Sequence, residues 1–461
     1  MSLPEIVIPS LRPQLLGAPF PGTALPDLPT ALAEVQTWID AAEVADGPDA
    51  SHWVAWPDRP EFQPIYGPVS LNTGAAGIAW YSLAAADATG DGSHALRAAR
   101  AARYVAGAWR DHIEDVSLNV PGIGLGHYGG LSGIASVFVE LADRYPEHRA
   151  TAVALLDEVL ARTGRAGGRA FGWTGANALL GDGGIVITLV DAARRLGEPR
   201  YLDAAVAAGT GILAEERAEI DGSSWHGVDA SSFGLPEDVE IDGFELGTVG
   251  IAYAFAKLAV ATGEPRFRDA ATRAARYIAG QSTLVGDAAV FARMPGDFAF
   301  GYCTGSSGVI RSFLGVYRAT GNEEHREWAL RFGRGILRSG VPGRQTRGNT
   351  NVFHQCCGSA AVLESFIGLW LETGDPLWLE AARAQGDDLL IRSIDDAKGR
   401  RWYSESHVLP TGTYKAEVGH QVGASGIALS LLRLHQANQD AGGTRPFTTI
   451  RLPDDPYLLA R

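Results

Sequence analysis

Residues 247–279 read GTVGIAYAFAKLAVATGEPRFRDAATRAARYIA, and this stretch contains the basic unit of the chain. After the Gly-x-x-Gly turn, residues 251–262 are apolar on nearly all sides, as in a buried helix. Gly263-Glu264-Pro265 ends that helix, because glycine closes helices and proline opens them. Residues 266–279 place arginines on one face and predict a second, amphipathic helix. The stretch therefore predicts a helix pair, one helix buried and one facing solvent.

The same unit occurs seven times along the 461 residues. Its turns begin at Gly74, Gly130, Gly181, Gly247, Gly305, Gly358 and Gly423, and the sixth is degenerate, Gly358-Ser359-Ala360-Ala361. Such self-similarity is typical of repeat architectures. We predict an all-α fold, an α/α toroid with a double ring of inner and outer helices. In that fold the turns before the inner helices all lie at one end of the barrel.

All three cysteines lie beside these turns. Cys303 comes two residues before Gly305, and Cys356 and Cys357 directly precede Gly358. Because the fifth and sixth turns belong to adjacent repeats, we expect the toroid to bring the thiols together at its mouth. Three thiolates make three of the four ligands of a tetrahedral Zn²⁺, and the fourth position stays open, as in catalytic zinc sites. A disulfide between the adjacent pair is the alternative.

With these turns and thiols, the chain resembles the lanthipeptide cyclases, the LanC-like proteins. Tyr302-Cys303-Thr304-Gly305 is similar to the family's Trp-Cys-x-Gly. Cys356-Cys357-Gly358 is similar to its Cys-His-Gly, with cysteine in place of histidine, as in a known Cys-Cys-Gly subgroup. The resemblance covers about residues 65 to 435.

The resemblance implies an activity as well as a double α-toroid with bound zinc. LanC-like cyclases add a cysteine thiol of a precursor peptide to a dehydroalanine or dehydrobutyrine of the same peptide. The product is a lanthionine or methyllanthionine thioether ring in a ribosomal peptide natural product. Zinc activates the thiol, because the thiolate is the nucleophile and metal coordination deprotonates it.

The chain departs from the family at two positions. The family often has an aspartate before the second turn and a histidine before the fourth, where this chain has Gly126 and Leu246. The addition also needs an acid that protonates the carbon next to the new bond. Four other residues close to turns are our candidates for proton transfer: His127, Glu245, His354 and His420.

Composition narrows the classes of partner and compartment. The net charge of -14 argues against a nucleic-acid partner, because no basic stripe is available to neutralise phosphates. Three cysteines do not make a disulfide framework, and the N-terminus lacks the features of a signal peptide. No stretch approaches the roughly 20 apolar residues of a membrane span. We expect a cytoplasmic protein that relies on separate dehydrating enzymes, since the chain has no kinase, lyase or dehydratase segment.

The expected domain organisation has three parts. Residues 1–60 form an N-terminal extension packing on the toroid, residues 61–440 the toroid, and residues 441–461 a C-terminal tail. Within the toroid, residues 215–245 form an acidic, loop-like insertion, either a solvated excursion or a docking surface for the precursor peptide.

Two other functions remain open at this point. One is a non-catalytic scaffold that binds zinc and holds a modified peptide, which the missing aspartate and histidine favour. The other is a carbohydrate-active α/α-toroid enzyme, which needs two facing carboxylates. Asp182 and Glu245 are the acidic residues next to turns, and they do not form an evident pair.

Overall fold

The computed structural model describes residues 25–60, 64–113, 115, 122–164, 172–233, 241–294, 297–343, 352–405, 414–447 and 451–454. Fourteen α-helices lie in these residues, and the strands among them are short. None of the helices in these ranges is both long enough and apolar enough to cross a membrane.

Seven inner helices begin directly after the first glycine of each turn. They are α2 (Ala75–Thr89), α4 (Leu131–Arg144), α6 (Asp182–Leu196), α8 (Thr248–Thr262), α10 (Ser306–Thr320), α12 (Ser359–Thr373) and α14 (Ala424–Ala441). Each packs against the inner helices before and after it, and α14 packs against α2, so the ring is closed. The turn residues themselves form the first helical turn, which places the start of α8 three residues before the predicted residue 251.

Seven outer helices surround this ring and complete the predicted α/α toroid. They are α1 (Leu28–Ala41), α3 (Gly92–Ala108), α5 (Arg149–Ala161), α7 (Pro199–Leu213), α9 (Pro265–Gln281), α11 (Glu323–Ser339) and α13 (Pro376–Ile391). Each odd-numbered helix from α3 to α13 packs against the inner helix that precedes it in the chain. The outer partner of α14 is α1, from the other end of the sequence. Its apolar face, Ala31, Val35, Trp38 and Ile39, has helical spacing and is buried.

The last glycine of a turn allows close approach between neighbouring repeats. A Cβ on Gly308 would lie 2.5 Å from Cβ of Phe244, and one on Gly77 would lie 2.6 Å from Cβ of His420. Phe244 and His420 each lie three residues before the first glycine of an adjacent turn. Glycine thus makes room for the side chain that the neighbouring repeat sends towards the ring interior.

Short antiparallel hairpins, which we did not predict, follow several outer helices. They pair β1 (Glu43–Ala45) with β2 (Ser51–Trp53), β3 (Arg217–Glu219) with β4 (Gly222–Ser224), β5 (Thr283–Val285) with β6 (Ala288–Val290), β7 (Ala292–Met294) with β8 (Asp297–Phe298), and β9 (Tyr403–Glu405) with β10 (Tyr414–Ala416). The strands β2, β4 and β6 each pack on the next outer helix, α3, α9 and α11.

The hairpin β3–β4 lies within the acidic stretch 215–245. Hairpins also follow the outer helices α1 and α9. The first part of the acidic stretch is therefore a recurring feature of the repeat rather than a loop. Two acidic residues at the start of the stretch have partners: Glu215 accepts a hydrogen bond from Asn177 at 2.9 Å, and Glu216 pairs with Arg273 at 2.5 Å. Residues 234–240 of this stretch lie outside the described residues.

Candidate metal centre

The three thiols meet at the end of the toroid where the turns lie. Cys303 Sγ is 3.1 Å from Cys357 Sγ, and Cys356 Sγ is 3.2 Å from Cys357 Sγ. These separations are well above the ~2.05 Å of a disulfide bond, so none of the three cysteines forms a disulfide. The three sulfur atoms lie within 4.8 Å of one another. The toroid therefore brings the turns of adjacent repeats together as the sequence predicts.

Backbone contacts between the fifth, sixth and seventh turns hold this arrangement. The carbonyl oxygen of Cys356 accepts hydrogen bonds from the backbone N–H of Tyr302 at 2.7 Å and of Cys303 at 3.0 Å. The N–H of Cys356 donates to the carbonyl of Gln421 at 3.0 Å. A Cβ on Gly301 would lie 2.6 Å from Cα of Cys357, so only glycine permits this approach. The position of each thiol is therefore fixed by the neighbouring turn.

The electrostatics of the cluster favour a bound cation. The pKa values of Cys356 and Cys357 are both raised well above the ordinary value, chiefly by the hydrogen bond with Cys303, and also by burial. Three adjacent thiols cannot all lose their protons unless a positive charge compensates them. All three side chains are partly exposed, which leaves room for a further ligand. The donor set, three sulfur atoms and an open side, fits zinc.

Glu245 lies directly against the cysteine turns. Its backbone N–H donates to the carbonyl of Cys303 at 3.0 Å, and its carboxylate accepts a hydrogen bond from Gln421 Nε2 at 2.8 Å. The side chain is buried, which raises the pKa of this carboxyl group well above its usual range, and the negative charge of Cys303 adds to the effect. Glu245 is thus a buried acid next to the thiols.

The other predicted candidates have different surroundings. His354 Nδ1 accepts a hydrogen bond from the backbone N–H of Cys357 at 3.3 Å, so this imidazole supports the cysteine turn. His127 and His420 lie in the ring interior, His127 with Nδ1 2.8 Å from Thr188 Oγ1. Burial lowers the pKa of both to about 4, so both are neutral at neutral pH. Two of the four candidates therefore contact the cysteine turns directly.

A group of buried residues on the ring axis was not predicted. A small pocket lies there, lined in part by Tyr128, Tyr302, Arg311, His420 and Asp454. The Asp454 carboxylate accepts from Arg311 Nη1 at 2.5 Å and from the Tyr128 hydroxyl at 2.9 Å, and it also accepts from the Tyr302 hydroxyl. The only sequence signal for this group is the position of Tyr302 beside Cys303.

Asp182, the second acidic residue next to a turn, has a structural role. Its buried carboxylate accepts hydrogen bonds from the backbone N–H and the hydroxyl of Thr174, at 2.7 and 2.8 Å, and from the N–H of Trp173 at 3.3 Å. These bonds fix the loop before α6. The carboxylate is therefore occupied by its own loop.

A sequence model of the lanthionine synthetase C-like proteins matches residues 243–448, the region that contains the three cysteines. Over these residues the chain is similar to the lanthionine synthetase C-like proteins. Among solved structures, nisin cyclase superposes with a TM-score of 0.60 at 13% identity, over 88% of this chain and 94% of nisin cyclase. At this identity the superposition shows a shared fold. The resemblance and the toroid predicted from the sequence are confirmed.

Family 76 glycoside hydrolases also superpose, with lower scores. One from a bovine Bacteroides thetaiotaomicron strain gives a TM-score of 0.46 at 13% identity, over 89% of this chain and 78% of the hydrolase. An α-mannanase from Bacteroides thetaiotaomicron gives 0.47 at 13% identity, over 94% of this chain and all (100%) of the mannanase. No curated protein sequence matches the chain.

Proposed function

We propose that this protein is a zinc-dependent cyclase that closes thioether rings in a dehydrated precursor peptide. A cysteine thiol of the peptide adds to a dehydroalanine or dehydrobutyrine and forms lanthionine or methyllanthionine. The observation that carries the proposal is the convergence of Cys303, Cys356 and Cys357, with sulfur separations of 3.1 and 3.2 Å, inside the region that matches the family.

The zinc ion would be held by these three thiolates, the only cysteines of the chain. When bound, zinc supplies a positive centre that lowers the pKa of an incoming substrate thiol and so increases its thiolate fraction. The chain's own residues provide the rest. The backbone bonds between the turns fix the spacing of the ligands, and His354 supports the turn that carries Cys357.

The addition is balanced within the peptide. The substrate thiol loses its proton, its sulfur forms a bond to the β-carbon as the C=C bond becomes a single bond, and a proton is delivered to the α-carbon, so the peptide gains and loses no atoms. We assign this proton transfer to Glu245, whose buried side chain lies against the cysteine turns. His127 and His420 line the ring interior, and His354 lies beside Cys357, so these three remain secondary candidates.

The proposal includes a setting for the reaction. We propose that separate enzymes produce the dehydrated residues before ring closure. Three thiols that form no disulfide favour a reducing compartment, and we place the reaction in the cytoplasm.

A scaffold that holds the modified peptide without closing its rings is the second candidate. Gly126 and Leu246 occupy the positions where the family often has an aspartate and a histidine, which favours this reading. The carbohydrate-active alternative is less well supported, because Asp182 is engaged by its own loop and is not free to face Glu245 as a second catalytic carboxylate.

The test uses a synthetic peptide that carries dehydroalanine and, a few residues downstream, cysteine. Ring closure leaves the peptide mass unchanged but removes its thiol, so the product resists alkylation by N-ethylmaleimide. We expect the zinc-loaded protein to produce this resistant peptide and the Cys303→Ala variant to do so no faster than buffer. If the wild type binds the dehydrated peptide without closing a ring, the scaffold is correct and the cyclase is not.

A further inference from the structure

The described C-terminal segment, Arg451–Asp454, lies inside the ring. The guanidinium of Arg451 pairs with Glu140 and lies 3.7 Å from Asp191, which are the tenth residues of α4 and α6. At 1.5 Å per residue these partners lie about 14 Å along the helices from the turns. Asp454, in contrast, reaches Tyr128 and Tyr302, which precede α4 and α10. The segment therefore runs along the axis towards the thiols from the opposite end.

Inner-helix side chains hold this segment at both of its ends. Trp80 Nε1 on α2 donates to the carbonyl of Arg451 at 3.0 Å, and the Tyr253 hydroxyl on α8 donates to the carbonyl of Asp454 at 2.9 Å. Arg451, Leu452 and Asp454 are all buried. The segment is thus packed in the ring interior as a part of the fold.

The Asp454 carboxylate is the point at which this segment meets the cysteine turns. It accepts hydrogen bonds from the Tyr302 and Tyr128 hydroxyls and pairs with Arg311 at 2.5 Å. The ring of Tyr302 is also fixed by the Arg311 guanidinium, 4.3 Å from its centroid. The side chain of Tyr302 is therefore held on several sides, and Asp454 provides the acceptor at its tip.

Tyr302 transmits this constraint to two of the thiols. Its peptide unit is bonded to Cys303, and its backbone N–H donates to the Cys356 carbonyl at 2.7 Å. A displacement of the Tyr302 ring that shifts its Cα would move the backbone of Cys303 and loosen the bond to the sixth turn. Groups that orient metal ligands without touching the metal typically change metal affinity by 10–100-fold when they are removed.

We propose that Asp454 is a positioning residue for the cysteine site, acting through Tyr302, so that the C-terminal segment completes the metal centre from inside the ring. The inference rests on the proposed metal-binding function. It adds a residue distant in sequence from all three cysteines.

The test measures Zn²⁺ affinity of the full-length protein by competition with a chromophoric chelator. Asp454→Asn should weaken binding by about 10–100-fold, and Asp454→Glu should recover part of the loss. The control is Glu372→Gln, which removes a carboxylate paired with Arg318 at 3.1 Å. Glu372 is the fourteenth residue of α12, about 20 Å along that helix from the turn. This control should keep the affinity of the wild type within about twofold.

A second variant keeps the inference testable if Asp454→Asn does not fold. Tyr302→Phe removes only the hydroxyl that Asp454 binds, and it should weaken Zn²⁺ binding in the same direction. Affinities equal to that of the wild type in folded Asp454→Asn or Tyr302→Phe overturn the inference. If the wild type takes up no zinc, the proposed function fails, and the inference is then judged by the alkylation rate of Cys303 in the metal-free chain. That rate should change severalfold in Asp454→Asn and not in Glu372→Gln, and equal rates in both variants overturn it.

Discussion

Replacing Gly301 with alanine should separate the thiols without removing any of them. An added Cβ would lie 2.6 Å from both Cα and the carbonyl oxygen of Cys357 and 2.7 Å from its carbonyl carbon. All three are backbone atoms, so a side-chain rotation cannot relieve the contact. An ordinary contact near 3.4 Å requires the Cys357 backbone to retreat by about 0.8 Å, whereas metal–ligand distances tolerate only about 0.2 Å.

The expected result is a folded protein with a damaged metal site. Overpacking of this kind costs about 1–3 kcal/mol of stability, and we expect Zn²⁺ affinity to fall by at least about 10-fold. Chelator competition gives the affinity, and thermal unfolding gives the stability.

A matched substitution controls for the exchange of glycine for alanine itself. A Cβ on Gly368 in α12 would meet nothing within 4 Å. Gly368→Ala should therefore keep the zinc affinity and raise the free energy of unfolding by roughly 0.5–1 kcal/mol. Wild-type zinc affinity in a folded Gly301→Ala protein would refute the reasoning that the turn contact sets the thiol spacing.

Three further predictions concern the buried charges. Glu245→Gln keeps the size of the side chain but removes its acidic proton, so ring closure should slow by about 10²–10³-fold at unchanged zinc content. Turnover within threefold of the wild type would exclude Glu245 as the proton donor. Burial lowers the pKa of His127 and His420 to about 4. Between about pH 6.5 and 4 the unfolded chain therefore binds more protons than the folded one, and the free energy of unfolding should fall as the pH is lowered. In His127→Gln, the free energy of unfolding measured by urea denaturation should fall less steeply as the pH is lowered over this range. A pH dependence equal to that of the wild type would contradict the assignment. The buried Glu364 carboxylate lies 2.7 Å from Arg433, and Arg433→Met removes this ion pair. The free energy of unfolding should then fall by about 3–5 kcal/mol. A decrease below about 1 kcal/mol, measured by calorimetry, would be inconsistent with this role of the pair.

The toroid and the meeting of the thiols were predictable because their signals are local. Each turn glycine and each apolar helix repeats in the sequence, and equivalent positions in adjacent repeats must be neighbours in a ring. The cysteines beside Gly305 and Gly358 could therefore be brought together without knowledge of any single contact.

Other features depend on contacts between distant parts of the chain. The pairing of α1 with α14 and the position of Asp454 beside Tyr302 join segments at least 152 residues apart, and no periodic pattern marks them. The histidines were predicted from their distance to a turn, but direction decides their surroundings. His354 lies four residues before Gly358 and supports the cysteine turn, whereas His127 lies three residues before Gly130 and points into the ring interior. A difference of one position relative to the turn is thus enough to change the side to which the side chain points.

The most direct test of the central claim is the metal content of the purified protein, prepared without chelators, for the wild type and for Cys303→Ala and Cys357→Ala. The account predicts about one zinc per wild-type chain, held as in three-ligand catalytic sites, and its loss in both variants. A metal-free wild type, or zinc that remains in both variants, would contradict a shared thiolate site and with it the proposed activation of the substrate thiol.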